Sequence, residues 1–348
     1  DSTLRGHVGT EIRAVLDSGA FDCVIVAPAL PFNKRTTENG IHFVGGVKLA
    51  DTELAKDPFS PICYSAISDI IKQGYDGQSG LINIKLVRKG ALAIADEIKH
   101  YVQNGVKVII ADAIEDEDLR NIAVGAKLFE GSKVLCGSAG LFKYFDEAYE
   151  IEAKRDKTGQ LFLNTNRSRP ILAICGSPAA MSKMQIKYIT EKRQDVKLIN
   201  LYITSEFCDD ILDVTNTFVL EKVIRSLKSG YDTIVDAAGE SKESILKEYH
   251  GRKEELDKVS SLILQVVSDI AYGVVTQVPI AGLVIFGGDT AAAIADRLNV
   301  KGIEITEQVE PYIPRGIFIG GALPNLPVVT KAGGFGRENS LAVIFDSF

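Results

Sequence analysis

Short β-branched runs alternate with stretches of helical periodicity along this chain, and that alternation constrains its fold more than any other feature. Val24-Ile25-Val26, residues 81–84, residues 106–110 and Val134-Leu135 read as strands. Helical patterns over residues 90–102 and around Leu119, Ile122 and Ala123 separate them. A second series reads the same way, with strands at 171–175, 197–203, 232–235 and 282–286 and a long helix at 252–275. Within that helix Leu256, Val259, Ile263, Val266, Ile270 and Val274 recur at spacings of three and four, which defines one buried stripe. Continuously apolar strands are covered on both faces, so the chain is expected to be α/β with mainly parallel sheets. Beyond Val300 the pattern turns to short strands at 303–305, 317–319 and 328–329.

A length of 348 residues exceeds one ordinary core and predicts two domains. Residues 152–169 are polar, charged and turn-rich and read as the linker, giving domains at 1–160 and 161–348. Hydrophobic content of 46% with 24% charged residues is that of a soluble globular protein. The net charge of −7 argues against nonspecific nucleic-acid binding. Five cysteines without CxxC spacing read as buried free thiols of a cytoplasmic protein. No apolar run is expected to span a membrane, and no signal peptide is visible. There is no internal repeat and no low-complexity tract.

In parallel sheets ligands bind beyond the carboxyl ends of the strands, so Asp112, Ser138 and the turns after the strands are pocket candidates. Gly287-Gly288-Asp289-Thr290 stands between a strand and a helix expected at 291–298. Its glycines allow close backbone approach, and a helix start favours phosphate. Asp289 or Thr290 capping the helix explains the turn equally well. The run 331–337 is a glycine-rich loop flanked by Lys331 and Arg337, which again suits a nucleotide or an ordinary turn. In Cys175-Gly176-Ser177-Pro178, Ser177 as N-cap with Pro178 at N1 is the stronger reading.

Lys34 and Arg35 follow a proline-fixed loop, and Arg35 with Arg5 would grip a carboxylate. The acidic run 115–118 reads as a helix start. The histidines are dispersed, His7 and His42 are expected at the surface, and nothing suggests zinc. A P-loop is excluded, because the chain lacks even a Gly-Lys dipeptide.

These motifs, in this order, resemble the four-carbon acid sugar kinase family. The likeness rests on residues 1–6 (Asp-Ser-Thr-Leu-Arg-Gly), Ala27-Pro28-Ala29, Arg35-Thr36-Thr37, Asp51-Thr52-Glu53 with Asp57-Pro58, residues 137–141, residues 287–290 and residues 331–336. It covers essentially the whole chain. The resemblance implies two Rossmann-like α/β domains with the active site in the interdomain cleft. An N-terminal acid-sugar domain would precede a nucleotide domain, and ATP would phosphorylate the terminal hydroxyl of a four-carbon sugar acid.

By the same resemblance Asp1, Ser2, Thr3, Leu4, Arg5, Arg35 and Asp57 fall on the substrate segment. Ser177, Gly287, Gly288, Asp289, Thr290, Gly333 and Gly334 fall on ATP contacts. Mg²⁺ would accompany ATP, with Asp289 holding it or accepting the hydroxyl proton. Residues 1–6 and 52–58 look like the D-threonate/D-erythronate branch rather than the 3-oxo-tetronate branch. Two departures stand out. Pro178-Ala179 replaces a Cys-Ser-like pair, and the family's N-terminal Asp-Asp-x-Thr-Gly segment is expected upstream of residue 1. A nucleotide- or sugar-acid-binding protein without turnover, a 3-oxo-tetronate 4-kinase and a sugar-processing enzyme without ATP are the other readings. Oligomeric state is left open.

Overall fold

A computed structural model describes residues 3–56, 61–151, 168–201, 209–237 and 253–348. The chain forms two compact units, Asp1–Arg155 and Asp156–Phe348. The expected linker at 152–169 lies almost wholly outside the described residues, as do Asp1, Ser2 and Asp57.

Unit 1 is built on a parallel four-stranded sheet of β1 (Cys23–Ala27), β5 (Ser79–Ile82), β6 (Val108–Ala111) and β7 (Lys133–Gly137), in the order β5-β6-β1-β7. Alternate residues of β1 serve opposite cores. Cys23, Ile25 and Ala27 pack with the apolar faces of α3 (Ala91–Gln103) and α4 (Asp116–Leu128). Val24 and Val26 pack with α1 (Val8–Asp17) and α2 (Ile67–Lys72). The acidic start of α4 is structural, because Glu115 and Asp118 form a capping box. Ser79–Ile82 ends two residues before the expected strand does. Asn83 stops it by capping a short helical turn, accepting from the Leu86 N–H at 3.1 Å.

Between β1 and α2 lies an element absent from the sequence reading, a small antiparallel sheet of β2 (Arg35–Glu38), β3 (Ile41–Val44) and β4 (Val47–Lys48). Asn39-Gly40 and Gly45-Gly46 connect its strands, with φ of 52°, 71°, 61° and 82°. Two-residue hairpin turns with positive φ at both positions are the kind that Asn-Gly and Gly-Gly favour. Those dipeptides were the available signal. His42, expected at the surface, is fully buried in this sheet, with Nδ1 3.0 Å from the Thr37 hydroxyl.

Unit 2 carries a seven-stranded sheet ordered β12-β13-β14-β11-β8-β10-β9. Its strands are β8 (Ile171–Cys175), β9 (Val196–Asn200), β10 (Asp232–Asp236), β11 (Gly282–Phe286), β12 (Gly302–Glu310), β13 (Ile313–Ile319) and β14 (Pro327–Lys331). The five from β14 to β9 run parallel, and β12 and β13 add antiparallel at one edge. Leu172 and Ile174 face α6 (Asp209–Lys228), α7 (Lys253–Val275) and α8 (Gly288–Arg297). Ile171, Ala173 and Cys175 face α5 (Ala180–Lys192) and α9 (Ser340–Asp346).

One expectation about length is corrected. The segment Asp257–Val275 of α7 is long and apolar enough, by length and composition, to cross a membrane. Half of it is buried inside the fold, and Val259, Val266, Ile270 and Val274 of the expected stripe are core residues. The cysteines divide likewise. Cys23 and Cys175 are buried free thiols and Cys136 is half-buried, but Cys63 is exposed.

In α1, Gly9 lets two helices approach closely. A Cβ there would lie 2.0 Å from the Ile71 carbonyl oxygen and 2.8 Å from the Gly74 nitrogen. Gly→Ala in an open helix stabilises by about 1 kcal/mol. Here Gly9→Ala is expected to destabilise by about 1–3 kcal/mol through overpacking, measured as a lower urea midpoint at unchanged slope. A raised midpoint would contradict the close α1–α2 contact.

Candidate functional site

The site in unit 2 follows from where its helices go. Strands β8 and β11 are parallel neighbours, paired from Ile171 with Gly282 to Cys175 with Phe286. The helix after β8, α5, packs on one face through Ile186 and Ile189. The helix after β11, α8, packs on the other through Ile294 and Leu298. Chains leaving adjacent carboxyl ends in opposite directions open a crevice there, and both helix N-termini border it.

Three turns meet at that crevice. Gly287 has φ 105° and its N–H donates to the Lys331 carbonyl at 2.9 Å, tying the β11 turn to the end of β14. The Gly176 N–H donates to the Phe286 carbonyl at 3.3 Å, tying it to the end of β8. A Cβ on Gly176 would lie 2.2 Å from the Thr290 hydroxyl oxygen, and one on Gly333 only 1.8 Å from the Ser177 Oγ. The structure thus brings Ser177, Gly287, Thr290 and Gly333 together from three stretches far apart in sequence. Gly288, Asp289 and Gly334 are exposed at the same turns.

The helix starts differ from the capping expectations. The N-cap of α8 is Gly287 and uses no side chain, so neither Asp289 nor Thr290 caps it. Asp289 is the second residue of the first turn, and its side chain makes no hydrogen bond or ion pair with the described residues. Thr290 is buried against the glycine turns. The N-cap of α5 is Ala179 rather than Ser177, and the Ser177 hydroxyl accepts weakly from the Ala179 N–H at 3.4 Å.

Sequence reasoning missed two neighbours of this edge. At the end of β10, beside Cys175, Asp236 accepts two bonds from the Lys183 ammonium of α5, at 2.6 and 2.8 Å. The strand 232–236, ending in a carboxylate, was the legible signal. Lys331 is buried, which sequence could not show for a lysine beside a glycine loop. Among the described residues no group of three His, Cys, Asp or Glu side chains forms a metal cage.

Unit 1 has its own crevice at the carboxyl ends of β1 and β6. The β2–β3 sheet is pinned there, with Thr37 and Ala113 exchanging backbone bonds of 2.8 and 3.1 Å. Asp112 is fully buried and accepts from the N–H groups of Asn39, Gly40 and Ile84 at 2.7, 2.9 and 3.1 Å. Burial pushes its pKa up, the three amides oppose this, and Glu38 adds to the rise. Asp112 therefore anchors the hairpin. Ser138 donates to the Ala29 carbonyl at 2.5 Å and accepts from the Gly140 N–H, so it too serves the backbone.

Arg35 begins β2 and is buried. Burial, reinforced by the positive field of Arg5, pushes its pKa down to about 10. It stays charged at neutral pH. Arg5 is exposed, and its Nε donates to the buried Thr3 hydroxyl at 3.2 Å. Two guanidinium groups within each other's field suit an anion such as a carboxylate. Leu4 stands apart from the other candidates, because its side chain is in the core and only its backbone can reach a ligand.

Comparison with known proteins comes to the same two halves. Residues 1–145 match the model of a sugar-binding N-terminal domain and residues 172–341 that of a nucleotide-binding C-terminal domain. The chain is 29% identical over 344 residues to a D-threonate kinase of Salmonella typhimurium, covering 98% of this chain and 77% of that one. It is 28% identical over 365 residues to a D-erythronate kinase of Heliobacterium modesticaldum, covering 99% and 77%. A crystal structure of a Salmonella typhimurium LT2 protein shares the fold with a TM-score of 0.72 at 20% identity, over 99% of this chain and 78% of that one.

Thiol chemistry reports on the edge of unit 2. Burial pushes Cys175 up to about 11, with the Asp236 carboxylate adding to the rise. At about pH 8 it is a neutral, enclosed thiol. Peptide mapping after brief alkylation should find Cys63 modified well before Cys23 and Cys175. Early modification of Cys175 would contradict the closed packing of β8.

Proposed function

The chain belongs to the four-carbon acid sugar kinase family, and on that premise we propose that it transfers the γ-phosphoryl group of ATP to the 4-hydroxyl of D-threonate or D-erythronate. The observation that carries this reading is the meeting of Ser177, Gly287, Thr290 and Gly333 at a crevice bordered by two helix N-termini. Bare backbone amides at helix starts are suited to phosphates and demand no particular side chain. In unit 1, Arg5 and Arg35 are the cations for the substrate carboxylate, and the Thr3 hydroxyl orients Arg5.

In this assignment the N-terminal unit, to about residue 160, holds the sugar acid and the remainder holds the nucleotide. Phosphoryl transfer makes little demand for covalent help and depends on positioning and charge neutralisation. Mg²⁺ is characteristically held by substrate phosphates with one or two carboxylates rather than by a dedicated protein cage. Asp289, exposed beside the Gly288 amide, is the carboxylate to hold it and so neutralise phosphate charge. Asp236 is already paired with Lys183, and the alternative role for Asp289 is to accept the hydroxyl proton instead of holding the metal. Names of relatives favour the threonate/erythronate substrates, since both similar kinases quoted above act on four-carbon acids without a 3-oxo group.

ADP release over a panel of four-carbon sugar acids tests this. Turnover with D-threonate or D-erythronate is expected, preferred over 3-oxo-tetronates. ATP-independent conversion, or no turnover with any acid, would overturn it. Arg5→Ala should raise the KM for the sugar acid on the order of 10–100-fold while leaving the KM for ATP unchanged. Equal loss of both would refute the division of labour between the units.

A further inference from the structure

Lys331 sits where a ligand-facing cation was expected, and it faces the other way. Only 2% of it is exposed. Its ammonium donates to the carbonyl oxygens of Ala332, Gly333 and Phe335 at 3.0, 3.2 and 2.9 Å, and lies 4.9 Å from the centre of the Phe286 ring. Two buried neutral donors on α5 hold the same loop. The Ser182 hydroxyl donates to the Gly333 carbonyl at 2.9 Å. The Gln185 amide donates to the carbonyls of Phe335 and Arg337 at 3.0 and 2.7 Å. Six inward hydrogen bonds therefore hold the carbonyl oxygens of residues 332, 333, 335 and 337.

In a trans peptide the C=O and the following N–H point in opposite directions. Turning those oxygens inward turns the N–H groups of Gly333, Gly334, Gly336 and Glu338 outward. Among the described residues nothing accepts from these four amides. Glycines at three of the four positions keep side chains out of the way, and Gly336 at φ 86° needs to be glycine in any case. A row of outward amides backed by an enclosed positive charge is an anion seat.

We propose that Lys331 is a positioning residue, whose enclosed ammonium holds the loop carbonyls inward so that the amides of Gly333, Gly334 and Gly336 receive the phosphates of the nucleotide. This rests on the reading of unit 2 as the nucleotide-binding half, and deepens it. Lys331 does not touch the nucleotide. It acts through the loop's shape and through its field.

Charge on Lys331 is then the control. Burial pushes its pKa down to about 8, with the Glu310 carboxylate opposing the fall. The groups around it are the Cys175 thiol of β8, the Glu310 carboxylate of β12, the Phe286 ring of β11 and the Ser182 and Gln185 side chains of α5. Cys175, at about 11, stays neutral while Lys331 titrates. As pH rises through about 8 the ammonium is lost and the seat loses its backing charge. An arginine keeps its charge throughout that range.

The test is calorimetric titration of a non-hydrolysable ATP analogue with Mg²⁺, and of adenosine, at about pH 7 and about pH 9.5. Wild type, Lys331→Met, Lys331→Arg and Ser182→Ala are compared, with folding checked by circular dichroism. Wild-type affinity for the analogue should fall on the order of tenfold between the two pH values, while adenosine binding stays level. Lys331→Met should bind the analogue weakly at both. Lys331→Arg should bind it with little pH dependence, and Ser182→Ala should be weakened but keep the wild-type fall. A folded Lys331→Met with wild-type affinity overturns the proposal alone. So does an equal fall in Lys331→Arg, which decides the matter even if the methionine variant does not fold. Wild type that binds neither analogue nor adenosine overturns the nucleotide reading itself.

Discussion

Two adjacent parallel strands whose chains leave in opposite directions cannot be closed over at the point of divergence, and β8 and β11 are such a pair. Everything proposed for unit 2 depends on that geometry. It places two helix starts side by side, leaves backbone amides facing a gap and fixes which turns can meet there. The glycines are what allow the turns to close on one another. Gly176 and Gly333 each lie where any Cβ would collide with a neighbouring turn.

Unit 1 solves a related problem with different chemistry. Its divergence point, between β1 and β6, is filled by a small antiparallel sheet rather than by glycine turns. Asp112 holds that sheet's first hairpin with three amide bonds, and the strand it fixes carries Arg35. A buried carboxylate thus positions a buried guanidinium without touching it. The two units are alike in fold, and the proposed ligand contacts differ in kind, with side-chain cations in one and backbone amides in the other.

Much of this was legible in the sequence, for identifiable reasons. The continuous apolar runs of β1, β8 and β11 could only be doubly covered strands, and 282–286 was placed to the residue. The α7 stripe followed from its period. The β2–β4 sheet escaped because its strands are only two to four residues long, and its signal lay in two turn dipeptides. Capping was misjudged at Ser177 and Asp289, because local preference says nothing of three turns packing together. His42 and Lys331 were misplaced for the same reason. A polar residue's burial is decided by partners distant in sequence, such as Thr37 strand pairing or loop carbonyls, and composition does not record them.

The most direct measurement of the central claim is a crystal structure of the protein with Mg²⁺ and a non-hydrolysable ATP analogue. The account predicts phosphate density against the amides of Gly287–Asp289 and Gly333–Gly334, with a sugar acid, if added, at Arg5 and Arg35. Phosphate density in unit 1, or at the β12 edge of unit 2, would contradict it.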